Sequence, residues 1–69
     1  MLMHEKIKQL RQEKGISQSK LAKMVGTTQQ LVNQWENNQK EPRLYNCINL
    51  ADIFGVSLDE LCCRNILHN

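Results

Sequence analysis

Gly15, Gly26, Pro42 and Gly55 divide this chain more firmly than any other residues. Glycine ends helices because it enters the left-handed conformation without a Cβ clash, and proline cannot continue a helix from within. Three glycines and one proline in 69 residues are too few breaks for a turn-rich β fold. The expectation is therefore an all-α chain of short helices. Hydrophobic residues make up 41% and charged residues 23%, a globular rather than a disordered composition. This length predicts one small domain spanning residues 1–69. No apolar run approaches the ~18 residues of a membrane span, and the start of the chain lacks the apolar core of a secretory signal. A cytoplasmic protein is expected.

Five helical segments can be read. Met3, Ile7 and Leu10 form one stripe over about residues 2–14, closed by Gly15. Ser17 caps a second helix with Leu21, Ala22 and Val25 inward, ended by Gly26. Lys20 stands where a capping box would place Glu or Gln, so this cap is incomplete. A third helix opens at Thr27 or Thr28 and runs to about Asn37, with Val32 and Trp35 inward and Asn38 as its left-handed terminator. After Pro42 and Arg43, a stripe of Leu44, Cys47, Ile48, Ala51 and Phe54, with Leu50 beside it, predicts a fourth. Ser57-Leu58-Asp59-Glu60 reads as a complete capping box opening a fifth, with Leu58 and Leu61 facing the core. Fraying is expected beyond about Arg64.

Three cysteines cannot all pair within one chain, so no disulfide framework is expected and a reducing compartment fits best. Cys62, Cys63 and His68 match no usual zinc spacing, which leaves no metal and no cofactor to expect. The thiols should act as small hydrophobes, buried or half-buried.

Charge is unevenly distributed. Residues 1–43 carry eight Lys or Arg against four acids, whereas residues 44–69 carry one Arg against three. A basic front suits a polyanion. The second and third segments, joined by Gly26 and the threonines, have the form of a helix-turn-helix over about residues 17–37. The outward face of the third segment carries Gln29, Gln30, Asn33 and Gln34 and no charge. Amides suit base edges, because one Gln or Asn can donate to and accept from adenine together. Gln29 and Gln30 fall in the first turn, the part of a recognition helix that goes deepest. Base readout is therefore assigned to Gln29, Gln30 and Gln34, with Asn33 as an additional candidate.

Several pieces, in order, resemble the helix-turn-helix family of the lambdoid phage repressors and Cro proteins, often called the Xre family. They are Ile7-Lys8-Gln9-Leu10-Arg11, Lys14-Gly15-Ile16-Ser17-Gln18 and Leu21-Ala22, then Trp35-Glu36-Asn37, Pro42, Leu50-Ala51 and Phe54-Gly55-Val56-Ser57-Leu58-Asp59-Glu60-Leu61. The resemblance covers about residues 5–62 and implies a compact five-helix bundle without a sheet. Thr28-Gln29-Gln30 with Gln34 resembles the recognition helix of one lambdoid repressor subgroup, in which the matching glutamines read bases. The resemblance implies DNA phosphate contacts for Ser17, Gln18, Thr28, Asn37, Lys40 and Arg43. It implies a structural pair of Arg11 and Glu36 that holds the recognition helix. Three positions depart from the family: Asn38 replaces a common Gly, Glu41 stands where a base is frequent, and Leu31 replaces a small or polar residue. Leu31 is expected to pack rather than to meet a thymine methyl.

The expected function is that of a sequence-specific double-stranded DNA-binding transcriptional regulator, a repressor that occludes its operator. No ligand or catalytic domain is expected in 69 residues. The alternative is an antitoxin or adaptor whose main partner is a protein, with DNA binding secondary; the amide-rich third helix argues against it. Catalysis is not expected, since His4 and His68 have no neighbouring nucleophile and acid and no Gly-rich phosphate loop exists. One recognition helix reads too few base pairs to find a site in a genome. A homodimer on a palindromic or pseudo-palindromic operator is therefore expected, with Leu58, Cys62, Ile66 and Leu67 at its interface. Residues 65–69 should fray or join that interface.

Overall fold

In a computed structural model, residues 1–63 can be described, and among them five α-helices follow one another. They are α1 (Met3–Lys14), α2 (Gln18–Val25), α3 (Gln29–Glu36), α4 (Leu44–Phe54) and α5 (Leu58–Leu61). This is the expected all-α, five-helix architecture. Three starts are held by hydroxyl caps: Ser17, Thr28 and Ser57 accept the N–H of Lys20 (3.0 Å), Leu31 (3.2 Å) and Glu60 (3.0 Å). The Ser17 cap therefore forms without a capping box. At α1 the Glu5 carboxylate accepts the Leu2 N–H at 2.9 Å, a bond that holds its carboxyl below the ordinary value.

Residues from all five helices build one core. Ile7, Leu21, Val32, Trp35, Leu50 and Leu61 are its fully buried side chains, joined by Ala22, Val25, Cys47 and Ala51. Met3, Leu10 and Leu31 pack against its edge, so Leu31 is half-buried as its packing role requires. α2 lies against α3, and α1 touches α3, α4 and α5. The two helices of the helix-turn-helix are thus backed by the rest of the bundle.

Four local expectations are corrected. Leu44 and Ile48 are 70% and 42% exposed, not part of the α4 stripe. Cys47, Leu50 and Ala51 are buried as expected and are joined by Asn46, on the side where α1, α2 and α5 meet α4. Leu58 is 38% exposed, because a helix of four residues can turn only one position fully inward and Leu61 takes it. The capping box of α5 is half-formed: Ser57 accepts the Glu60 N–H, but the Glu60 carboxylate reaches Lys6 Nζ at 3.7 Å. A cation on the adjoining helix competes for the carboxylate with an exposed neutral N–H.

The cysteines divide as well. Cys47 is buried, but Cys62 and Cys63 are exposed, since they follow the last turn of α5 where the chain leaves the core. The Cys47 thiol donates to the Pro42 carbonyl at 3.5 Å, and burial, helped by nearby Cys62 and Glu41, pushes it up. A thiolate is the reactive form. Native protein at neutral pH should therefore be alkylated at Cys62 and Cys63 well before Cys47, and denatured protein at all three alike, as peptide mass spectrometry would record. Equal native rates would place Cys47 in solvent.

Gly26 turns α2 into α3 at φ 87, a left-handed conformation. A Cβ built there meets nothing within 4 Å, so any cost of substitution is backbone strain alone. Gly26→Ala should lose about 1–2 kcal/mol in urea unfolding, and Gly26→Asn less, because Asn tolerates this region. Equal losses for the two would show that strain is not the cause. No helix among the described residues is long and apolar enough to cross a membrane. Among the same residues no three His, Cys, Asp or Glu side chains gather in a metal-binding arrangement. His68 and the segment beyond Arg64 lie outside the described residues.

Candidate nucleic-acid interface

Gln29 and Gln30 are the first two residues of α3, and both are exposed. Gln34 lies one turn after Gln30 and is half-buried, and Asn33 lies one turn after Gln29 and is exposed. The helix carries no acid in its first turn and no base in its last. Its single charged residue, Glu36, is buried. The positive end of the α3 dipole is thus unopposed beside a face that has hydrogen-bonding capacity but no formal charge.

An ion pair fixes this helix from behind. Arg11 Nε and Nη2 donate to Glu36 Oε2 at 2.6 Å and Oε1 at 3.0 Å, and Arg11 Nη1 donates to the Ile16 carbonyl at 2.9 Å. The two side chains are 13% and 2% exposed. The hydrogen bonds to Glu36 raise the Arg11 guanidinium further above its ordinary value. A forked cation on α1 therefore sets the height and rotation of α3 through its last residue.

The same carboxylate begins a line of amides. Gln18 Nε2 donates to Glu36 Oε1 at 3.1 Å, Asn33 Nδ2 donates to Gln18 Oε1 at 3.4 Å, and Asn37 Nδ2 donates to Asn33 Oδ1 at 3.1 Å. Sequence reasoning places Gln18, Asn33 and Asn37 at the surface but misses that they are linked. Only the crossing of α2 over α3 brings residues 18 and 33 together, and no local pattern encodes it.

Ser17 and Thr28 use an oxygen lone pair as helix caps, and each hydroxyl retains its proton to donate. Asn37 is the C-cap of α3, and Asn38 follows it at φ 59, the left-handed terminator expected there. Lys40 and Arg43 are exposed and line one open cleft of about 390 Å³ with Leu31, Trp35, Glu41, Tyr45 and Asn46. Arg43 is also the N-cap of α4 and makes no side-chain cap bond. Tyr45, 62% exposed, is passed over by the sequence reading, although an aromatic ring two residues after an arginine was a usable signal. The structure brings Lys40, Arg43 and Tyr45 to the end of α3 and keeps Gln29 and Gln30 at its start. Leu58 and Cys62 lie apart from these residues in sequence and are exposed, whereas Ile66 and Leu67 lie outside the described residues.

Known proteins share this fold. The crystal structure of the P22 c2 repressor in complex with a synthetic operator superimposes with a TM-score of 0.88 at 34% identity, over 94% of this chain and 98% of that one. The solution structure of the DNA-binding domain of the P22 c2 repressor gives 0.83 at 36% identity, over 88% and 80%. By sequence, the chain is 39% identical over 57 residues to the SPbeta prophage-derived HTH-type transcriptional regulator YonR of Bacillus subtilis (strain 168), covering 83% of this chain and 53% of YonR. It is 30% identical over 61 residues to the HTH-type transcriptional activator BcrR of Enterococcus faecalis, covering 88% of this chain and 30% of BcrR. The chain thus spans about half or less of the length of these two relatives. The helix-turn-helix family model (HTH_3) matches residues 7–61, nearly the whole of the described bundle, and the chain belongs to this helix-turn-helix family.

Proposed function

We propose that this chain is a sequence-specific, double-stranded DNA-binding transcriptional regulator, acting in the cytoplasm as a repressor that occupies its operator. The observation that carries this reading is the uncharged amide face of α3, with Gln29 and Gln30 at the start of the helix and the cationic Lys40–Arg43 loop beyond its end. Amides and a positive helix end enter the major groove without a net charge to bury, while cations on the flank engage phosphates. Support also comes from the operator-bound P22 c2 repressor, whose fold this chain shares. One relative is named an activator, so the sign of regulation needs its own measurement, a reporter assay with the operator placed over the promoter.

Gln29, Gln30 and Gln34 are assigned to base edges, and Ser17, Gln18, Thr28, Asn37, Lys40 and Arg43 to phosphates. Selection of bound sequences from a random DNA pool tests the whole reading, since it reports binding, half-site symmetry and spacing together. Gln29→Ala should lose about 1–3 kcal/mol on the selected operator and relax preference at one A·T position. Equal loss on selected and random DNA would remove Gln29 from readout. Lys40→Ala should weaken binding to every sequence alike and lower the salt slope by about one unit.

The active form is a homodimer reading two half-sites about 34 Å apart on a palindromic or pseudo-palindromic operator. The interface is assigned to Leu58 and Cys62, both exposed, and to Ile66 and Leu67, which lie outside the described residues. Native mass measured with and without operator decides this. A 1:1 complex at saturating protein on a palindrome would refute the dimer.

A further inference from the structure

The amide line that begins at Glu36 gives Asn33 a role different from that of its glutamine neighbours. A carboxylate only accepts hydrogen bonds, so Gln18 must turn its Nε2 toward Glu36, at 3.1 Å. That leaves Gln18 Oε1 facing Asn33, which must then donate with Nδ2, at 3.4 Å. The Asn33 Oδ1 is left to accept from Asn37 Nδ2, at 3.1 Å. The sense of three amides is thereby set in succession from one buried, arginine-held carboxylate. Asn33 stands in the middle, with both ends of its amide engaged inside the protein. Gln18, engaged at both ends as well, opens α2, and Asn37 caps α3; each amide in the line keeps a second N–H beyond these bonds.

We propose that Asn33 is a positioning residue that acts through Gln18 and Asn37. It holds their free N–H groups at one spacing and in one sense, toward two phosphates, and does not itself read a base. The inference rests on the DNA-binding reading above, in which Gln18 and Asn37 touch the backbone. Phosphate oxygens accept only, so an amide turned the wrong way presents its own oxygen to them and loses the contact. A strut that fixes the sense of both amides raises affinity for every sequence equally.

The test compares wild type, Asn33→Ala, Gln18→Ala and the double variant on the operator selected from the random pool and on versions of it with each base pair changed in turn. Asn33→Ala is expected to weaken binding about two- to tenfold on all of them, with the order of base preferences unchanged. The double variant should bind more tightly than the product of the two single losses predicts, because one residue works through the other. In the free protein, Asn33→Ala should shift the side-chain amide resonances of Gln18 and Asn37 in ¹⁵N-correlated spectra and leave the melting temperature within a few degrees. A loss confined to one base-pair position, strictly multiplicative losses, or binding equal to wild type would each overturn the positioning role and leave the DNA reading intact. A wild-type protein that selects no DNA would overturn that reading itself, and the positioning role with it.

Discussion

Arg11→Ala is expected to destabilise the fold by about 3–5 kcal/mol, the usual cost of removing one partner from a buried ion pair. The substitution strands the Glu36 carboxylate, whose side chain is 2% exposed, with the Gln18 amide as its remaining side-chain partner. It also takes a donor from the Ile16 carbonyl at the turn into α2. Small domains hold only about 5–15 kcal/mol in total, so a large share of the stability goes with the guanidinium. Urea unfolding followed by circular dichroism measures the loss. The double variant Arg11→Met, Glu36→Met should recover most of it, because an apolar pair of similar volume has no charge to strand. A loss below about 1 kcal/mol for Arg11→Ala would mean that water reaches the carboxylate and that the pair behaves as a surface salt bridge. The recovered double variant would still bind DNA weakly if Glu36 sets the sense of the Gln18 amide. Stability and recognition, joined in the single variant, would then separate.

Trp35→Ala should cost a similar 3–5 kcal/mol. The indole is 1% exposed and is the largest of the fully buried side chains. It belongs to an eight-residue helix, too short to persist in water without its packing. Losing it should lower the melting temperature by well over 10 °C in a domain of this size. Trp35→Phe, which keeps part of the volume, should fall between alanine and wild type. A melting temperature for Trp35→Ala within about 5 °C of wild type would show that the neighbours collapse into the space. In that case α3 would stay folded but shifted, and operator binding would fall without a matching loss of stability.

The punctuation of this fold was legible because it is local. Ser17, Thr28 and Ser57 act as caps through bonds that span three residues, and Asn38 terminates α3 by its own backbone conformation. The inward face of α4 was legible only in part: Cys47, Leu50 and Ala51 are buried as read, but Leu44 and Ile48 are not. Its sequence carries two overlapping apolar stripes, and the choice between them is made by helices distant in the chain. Leu44 and Ile48 lost that choice and lie exposed, while Asn46 is buried. Glu60 shows the same limit, since its partner Lys6 comes from the opposite end of the chain. At the candidate interface, the residue types and their placement on α3 followed from periodicity. The bonds from Glu36 through Gln18 and Asn33 to Asn37 did not, because they depend on how α2 crosses α3.

Ile7 and Leu61 are both fully buried in the same core, and α1 packs against α5. A ribosome adds about 5–20 residues per second, so Leu61 is made roughly one to five seconds after Trp35. During that interval the helix-turn-helix exists as sequence, with its supporting core still open at Ile7. Folding from one end of the chain to the other cannot complete this domain stepwise. The core behind the middle helices is closed only when the two distant segments meet. A nascent chain halted before residue 61 would carry every candidate DNA-contacting residue on α2, α3 and the loop beyond, on a core that still lacks Leu61.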